Sequence, residues 1–215
     1  MRNYIFDVDG TLTPSRLPID KKFETFFLKW MEGKNVYLVT GSDKDKTIEQ
    51  VGEKIWNKCT RAYQSCGNAV YEKGKLIKEN KFRLDPELNF ILIDELARSK
   101  CGQRYGNHIE ERIGLINFST IGRNCTQEAR EAYAKWDEKN KERERICKRI
   151  TKELSKLEAT IGGQISIDIH PKGKDKSQIL DDVKGEIMFF GDRCEPGGND
   201  YPIVKKIKDK HIVHK

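Results

Sequence analysis

The chain has 215 residues, 36% of them hydrophobic and 35% charged, and its 41 Lys+Arg against 34 Asp+Glu leave a net charge of +7. That length suffices for one large domain or two small ones with a buried core, and no apolar run approaches the ~20 residues of a membrane span. Acids and bases interleave, as in EKNKERERICKRITKELSK (138–156), which reads as a solvated helix face with i,i+4 pairs and not as a nucleic-acid-binding stripe.

The first element is a buried strand, YIFDVD (4–9), which runs into acids and then Gly10. Asp20 is a plausible N-cap for a helix whose Phe23, Phe26, Phe27, Trp30 and Met31 recur at helical spacing and predict its core face. NVYLVTGSD (35–43) gives a second strand into a glycine turn, and Ser42 or Asp43 can cap a helix over 45–56. This alternation opens a doubly wound α/β fold.

The character shifts after Cys66-Gly67. AVYEKGKLIKE (69–79) reads as a hairpin around Lys73-Gly74. A helix over about 86–100, strands around 108–119 and 162–170, and a long charged helix over 126–158 follow in α+β order. HPKGKDKSQILDDVKG then resumes a loop and helix, and EIMFFGDRCEPGGND a buried strand into a glycine-rich acidic loop. The pattern predicts an α/β core of residues 1–78 and 172–215 interrupted by an inserted α+β module, 79–171.

The six cysteines form no CxxC or His–Cys cluster, and the N-terminus leaves no room for a cleavable apolar segment before Asp7. Reduced thiols in a cytoplasmic protein are expected, and the two N-x-S/T matches at Asn117 and Asn124 are chance occurrences.

In a parallel sheet the site lies at the carboxyl ends of the strands. Those ends supply Asp7 and Asp9; Thr40, Gly41 and Ser42; and Asp192 with Asn199 and Asp200, while Lys176 starts a helix upstream. Clustered carboxylates, a lysine, hydroxyls and glycine turns suit Mg²⁺ and a phosphoryl group. One Asp can serve as covalent nucleophile and its neighbour two residues on as acid and base. Taken singly, Lys176 could be a surface lysine, and Thr40 and Ser42 simple helix caps.

Together, Asp7-Val8-Asp9-Gly10-Thr11, Thr40, Lys176 and Gly191-Asp192…Asn199-Asp200 resemble, in order, the four motifs of the haloacid dehalogenase superfamily. DVDGTLTPSR, IGRNCTQEAREAYAKWDEKNK, GGQISIDIHPKGKDK and FFGDRCEPGGND further resemble the eukaryotic-type phosphomannomutases, a family of that superfamily with an inserted cap. The resemblance covers most of the chain and is weakest in 78–107 and after 201. It implies a Rossmannoid core with an α+β cap, Asp7 as nucleophile and Asp9 as acid/base. Mg²⁺ would be held by Asp7, the Asp9 main-chain carbonyl and Asp192, with hexose 1,6-bisphosphate as activator. It also implies Arg112, Arg123 and Arg130 as ligands of the distal phosphate, Ser166 and Asp168 nearby, Arg16 at the hinge, and a homodimer through the cap. Alternation in 164–168 places Gln164, Ser166 and Asp168 on one strand face, with Ile165 and Ile167 towards a core.

The chain departs from that family in three places. Thr40 stands where the family has glycine, Gln64-Ser65-Cys66-Gly67 replaces a PENG-like turn, and the tail after Asp200 lacks an acidic loop. Two activities are open at this point: interconversion of mannose 6-phosphate and mannose 1-phosphate, or release of phosphate from a sugar phosphate.

Overall fold

The computed structural model describes residues 2–207 and the backbone of 212–214. The chain divides into two compact units, Met1–Lys81 with Lys174–Lys215, and Phe82–Gly173.

The first unit is built on a seven-stranded sheet. Its strands are β1 (Asn3–Asp7), β2 (Asn35–Val39), β3 (Arg61–Gln64), β4 (Ala69–Glu72), β5 (Lys75–Glu79), β10 (Ile187–Gly191) and β11 (Ile212–His214). Their order is β11-β10-β1-β2-β3-β4-β5, with the first five parallel and the β4–β5 hairpin antiparallel at the far edge. Helices α1 (Lys21–Trp30), α2 (Lys44–Val51) and α3 (Glu53–Lys58) cover one face around Phe6, Leu38, Phe27 and Ile55. A 3₁₀ helix, Lys176–Asp181, and α7 (Tyr201–Ile207) contribute to a separate core with Ile5, Val39, Ile179 and Phe189. The parallel strands β1, β2, β3 and β10 are therefore covered on both faces, and their near-continuous apolar sequences follow from that, whereas the edge strand β5 is exposed.

The second unit carries a four-stranded antiparallel sheet, order β6-β7-β9-β8, from β6 (Ile109–Arg112), β7 (Leu115–Phe118), β8 (Leu157–Gly162) and β9 (Ser166–Pro171). Helices α4 (Pro86–Arg98) and α6 (Glu142–Glu153) pack Leu88, Leu92, Ile146 and Ile150 onto it. Helix α5 (Gln127–Asn140) forms a smaller cluster with Ile121, Tyr133 and Ile165.

Several sequence expectations are corrected. The helix expected over 45–56 is two helices broken at Gly52, whose φ of +81° lies where glycine is favoured. The expected charged helix of 126–158 breaks at Lys141, in the left-handed region at φ 53°, and ends at Glu153; β8 follows. Interleaved charge hid that break. Lys148–Glu144 and Arg149–Glu153 form the expected surface i,i+4 pairs, yet Glu142 and Arg143 on the same helix are buried. The segment after Lys174 is 3₁₀ and not α-helical. On α1, Phe27 is buried, but Phe26 is 60% exposed and Phe23 is 36% exposed, so the aromatic face is only partly core. Among the described residues no helix is long and apolar enough to cross a membrane, and all six cysteines are free.

Candidate active site

The parallel order puts the carboxyl ends of β1, β2 and β10 side by side, which is why Asp7 and Asp192, 185 positions apart in sequence, meet. Asp7 ends β1 and is buried; Asp192 follows β10, and Asp200 closes the loop after it. One carboxylate oxygen from each of these three lies within 4.8 Å of the others. Lys176, at the start of its 3₁₀ helix and 1% exposed, donates to Asp7 Oδ1 at 2.5 Å and to Asp200 Oδ1 at 2.7 Å. Thr11 donates to Asp7 Oδ2 at 3.3 Å. Asp200 Oδ2 accepts from the Arg193 main-chain N–H at 3.1 Å, so both its oxygens are engaged and the loop is tied closed.

The approach of these segments dictates two glycines. Gly10 has φ +85°, and a Cβ there would stand 2.3 Å from Asp192 Oδ2. A Cβ on Gly198 would stand 2.3 Å from the Arg193 carbonyl oxygen. No side chain fits at either place.

Charge is concentrated here. Burial pushes the Asp7 carboxyl well above its ordinary range, and the Asp200 and Asp192 carboxylates add to that against the opposing pull of Lys176. Burial and Asp200 push Asp192 up to about 6. Burial works against the Lys176 charge, but Asp200 and Asp7 outweigh it and hold the ammonium protonated. Lys176 covers one charge of the three, and Arg193, 4.0 Å from Asp192, screens another only weakly in its part-exposed position. Hard carboxylate donors with uncompensated charge fit a divalent cation such as Mg²⁺.

The Asp9 side chain is turned to other partners. It accepts from the Arg16 main-chain N–H at 2.6 Å, from Gln50 Nε2 at 3.0 Å and from Ser42 Oγ at 3.4 Å. Arg16 itself has φ 64°, a left-handed residue in the loop between β1 and α1. Thr40 is buried, and its Oγ1 accepts from the Ser42 N–H at 3.0 Å, while Cys66 N–H donates to its carbonyl at 2.8 Å. Asp43, not Ser42, caps α2. Gly41 lies between them at the end of β2, and Asn199 is buried next to Asp200.

The remaining candidate residues lie in the second unit. Arg112 and Arg123 converge on Glu110 Oε2, at 2.6 Å and 3.3 Å, with both side chains less than 10% exposed. Arg123 also donates to Ser166 Oγ at 2.6 Å, and the buried Arg130 donates to the Arg123 carbonyl at 2.9 Å. Asp168 accepts from Asn117 Nδ2 across the β7–β9 pair at 2.6 Å. Ser166, Asp168 and Ile167 are all buried on β9.

Three residues escaped the sequence reading. Gln50 bridges Asp9 and Thr13, and nothing in KTIEQV marks it apart from an ordinary helical glutamine. Glu110 joins two of the arginines. Arg143 ion-pairs with Asp137 at 2.7 Å and donates to the carbonyls of Gly162, Gly163 and Ser166, which fixes the β8–β9 turn. The charge run that contains it disguised it.

A family profile described as eukaryotic phosphomannomutase matches residues 23–215. The chain is 39% identical over 215 residues to a Drosophila melanogaster protein named phosphomannomutase, covering 93% of this chain and 84% of that one. It is 34% identical over 222 residues to a phosphomannomutase of Saccharomyces cerevisiae, with coverage of 98% and 87%. Among solved structures, the C-terminal domain of trehalose-6-phosphate phosphatase from C. albicans aligns at TM-score 0.64 and 16% identity, over 95% of this chain and 72% of that one. That likeness is one of fold, a haloacid-dehalogenase-like arrangement with a parallel sheet.

Proposed function

The chain belongs to the eukaryotic phosphomannomutase family, and from that premise we propose that it interconverts mannose 6-phosphate and mannose 1-phosphate through an aspartyl-phosphate and a hexose bisphosphate. The observation that carries the reading is the presence of two anion-handling sets in one chain. The first unit holds Asp7 with Lys176 and the acidic cluster, and the second gathers Arg112, Arg123 and Arg130 near Ser166. A hexose bisphosphate has one phosphate to transfer and one to be held. Guanidinium forks are the side chains that recognise a phosphate by geometry.

Asp7 attacks phosphorus, the bond from phosphorus to the sugar oxygen breaks, and Asp9 gives that oxygen its proton. In the other half-reaction the free hydroxyl of a hexose monophosphate attacks the aspartyl phosphate, hands its proton to Asp9 and frees the Asp7 carboxylate, which yields the bisphosphate. Lys176 orients Asp7 and Asp200, and Thr40, Gly41 and Ser42 meet the transferring group. Asp200 holds the loop that carries Asp192 through its bonds to the Arg193 main chain, and Asn199 is the supporting residue beside it. Arg112, Arg123 and Arg130 take the phosphate that does not react, with Ser166 and Asp168 for sugar hydroxyls and Arg16 at the hinge. Mg²⁺ suits the side chains of Asp7 and Asp192 with the Asp9 carbonyl, and when bound it supplies Lewis-acid stabilisation of the phosphoryl oxygens. Hexose 1,6-bisphosphate is the activator, because it primes Asp7.

The same reading assigns catalysis to a core of 1–78 and 172–215 and recognition to a cap of 79–171. It also places the protein in the cytoplasm as a homodimer through the cap. On α4, Phe90 is 71% and Ile93 51% exposed one helical turn apart, an apolar stripe that supports such a dimer. Sedimentation of the wild type against Phe90→Asp tests it: a wild-type monomer overturns the dimer.

Phosphorus NMR with mannose 1-phosphate, with and without hexose 1,6-bisphosphate, tests the activity. Mannose 6-phosphate should accumulate after priming. Steady release of inorganic phosphate with no isomer would replace the mutase with a phosphatase.

A further inference from the structure

The two oxygens of Asp9 are not equivalent. Oδ1 receives two N–H bonds, from the Arg16 main chain at 2.6 Å and from Gln50 Nε2 at 3.0 Å, whereas among the described residues Oδ2 meets only the Ser42 hydroxyl, at 3.4 Å. An N–H group can donate but not accept, so an oxygen filled by two of them has no place for a proton. A hydroxyl does both, and Ser42 therefore tolerates Oδ2 in either state.

Gln50 is built into this arrangement. It is 1% exposed on α2, and its Nε2 also reaches Thr13 Oγ1 at 3.0 Å. Its own carbonyl accepts from the Ile19 main chain at 2.8 Å. Side chain and backbone together thus pin the loop from Asp9 to Ile19. Gln50 Oε1 is buried and has no hydrogen-bond partner among the described residues, so the amide is held by its donor end.

We propose that Gln50 is a positioning residue for the acid–base step: with the Arg16 amide it fills Oδ1 of Asp9 and leaves Oδ2 as the oxygen that gives and takes the proton. This rests on the reading of Asp9 as acid and base. As the bond between phosphorus and the sugar oxygen breaks, its electron pair goes to that oxygen, and the Oδ2 proton moves onto it. In the return step the attacking hydroxyl loses its proton to Oδ2. No further reactant is involved.

The test uses leaving groups that differ in their need for an acid. A sugar oxygen leaves poorly without a proton; p-nitrophenolate leaves well without one. In the full-length protein with Mg²⁺, Gln50→Met keeps the length of the side chain and removes the donor, and Gln50→Glu keeps its shape. We expect kcat with mannose 1-phosphate to fall about 10- to 100-fold in both, a share of the ~10²–10⁴ that general acid catalysis provides. KM should stay within about threefold, and so should the rate of the single-turnover burst of p-nitrophenolate from p-nitrophenyl phosphate, which is over before any hydroxyl has to give up a proton. Asp9→Asn is measured in parallel and should show the same selectivity more strongly. Equal losses on both substrates in the Gln50 variants would mean a structural role and overturn the proposal, as would no loss on either. If Asp9→Asn itself shows no selectivity, the acid–base reading fails, whatever Gln50 does. Melting temperatures identify a variant that does not fold, and the other variant then decides.

Discussion

Lys176 Nζ stands 2.5 Å from Asp7 Oδ1, a buried ammonium against a buried carboxylate 169 residues away in sequence. Removing one member of such a pair leaves the other uncompensated, which typically costs about 3–5 kcal/mol. Lys176→Met should therefore lose about that much stability near neutral pH by urea denaturation. The loss should shrink in acid, where the carboxylates around it are protonated. A variant as stable as wild type at neutral pH would show that the pair adds nothing.

Asp7→Asn keeps the shape of the side chain and removes the attacking charge. Turnover should fall by several orders of magnitude, in line with other covalent nucleophiles, with the circular dichroism unchanged. Phosphoprotein analysis by mass spectrometry should find acyl phosphate on Asp7 in the wild type and none in the variant. Retained turnover in Asp7→Asn would remove the covalent mechanism.

The acidic cluster makes stability depend on cation and pH together. Asp192 is pushed up to about 6 by burial and by Asp200. That lies above the ~3.9 of an unfolded aspartate, so its contribution to stability is present below about pH 4 and is lost as the pH rises through about 6. A bound divalent cation reverses this by favouring the charged form. Mg²⁺ should therefore raise the melting temperature more at about pH 7.5 than at about pH 5. Asp192→Asn should lose most of that gain, and an Mg²⁺ effect that is the same at both pH values would contradict the assignment.

Arg123 and Arg130 carry the prediction for the second unit. Each loses a charge-assisted contact on mutation to Ala, about 1.5–3 kcal/mol or roughly ten- to hundredfold in kcat/KM for mannose 1-phosphate. Lys should rescue little, because a point charge does not reproduce the guanidinium fork. Unchanged kinetics in both Ala variants would move the phosphate-binding role elsewhere.

Glu95 gives the second unit an acid limit. Burial opposes its charge, but Arg145 and Arg149 bond to it at 2.5 Å and 2.8 Å and hold its pKa below the ordinary range. Stability from a depressed carboxyl is present above its unfolded value of ~4.3 and is lost as pH falls through the folded value. Glu95→Gln should flatten the acid limb of a melting profile and lower the neutral plateau; an unaltered limb would assign acid sensitivity to other carboxylates.

How much of this was legible in the sequence depended on how local the signal was. A buried strand that stops at acids and glycine can be read directly, since few arrangements tolerate Asp7, Asp9 and Gly10 at the end of an apolar run. The α/β order followed from alternation alone. Breaks inside polar helices were not legible, because Lys141 carries its left-handed turn among identical-looking charges, and β8 hid behind them. Gln50, Glu110 and Arg143 take their significance from neighbours far away in sequence, which no window of residues displays. The exposure of Phe26 was misjudged for a related reason: periodicity says which side of a helix is apolar, not how much of that side finds a partner.

The strand order also fixes a timetable for synthesis. β1 leaves the ribosome well before its neighbour β10, which begins at Ile187, and the lysine that neutralises Asp7 arrives only at position 176. The antiparallel unit of Phe82–Gly173 is translated whole in the interval and makes its sheet pairings within itself. It can therefore fold while β1 still waits for a partner on one side. Until then β1 has one open edge, and the aspartate at its tip lacks the lysine that neutralises it.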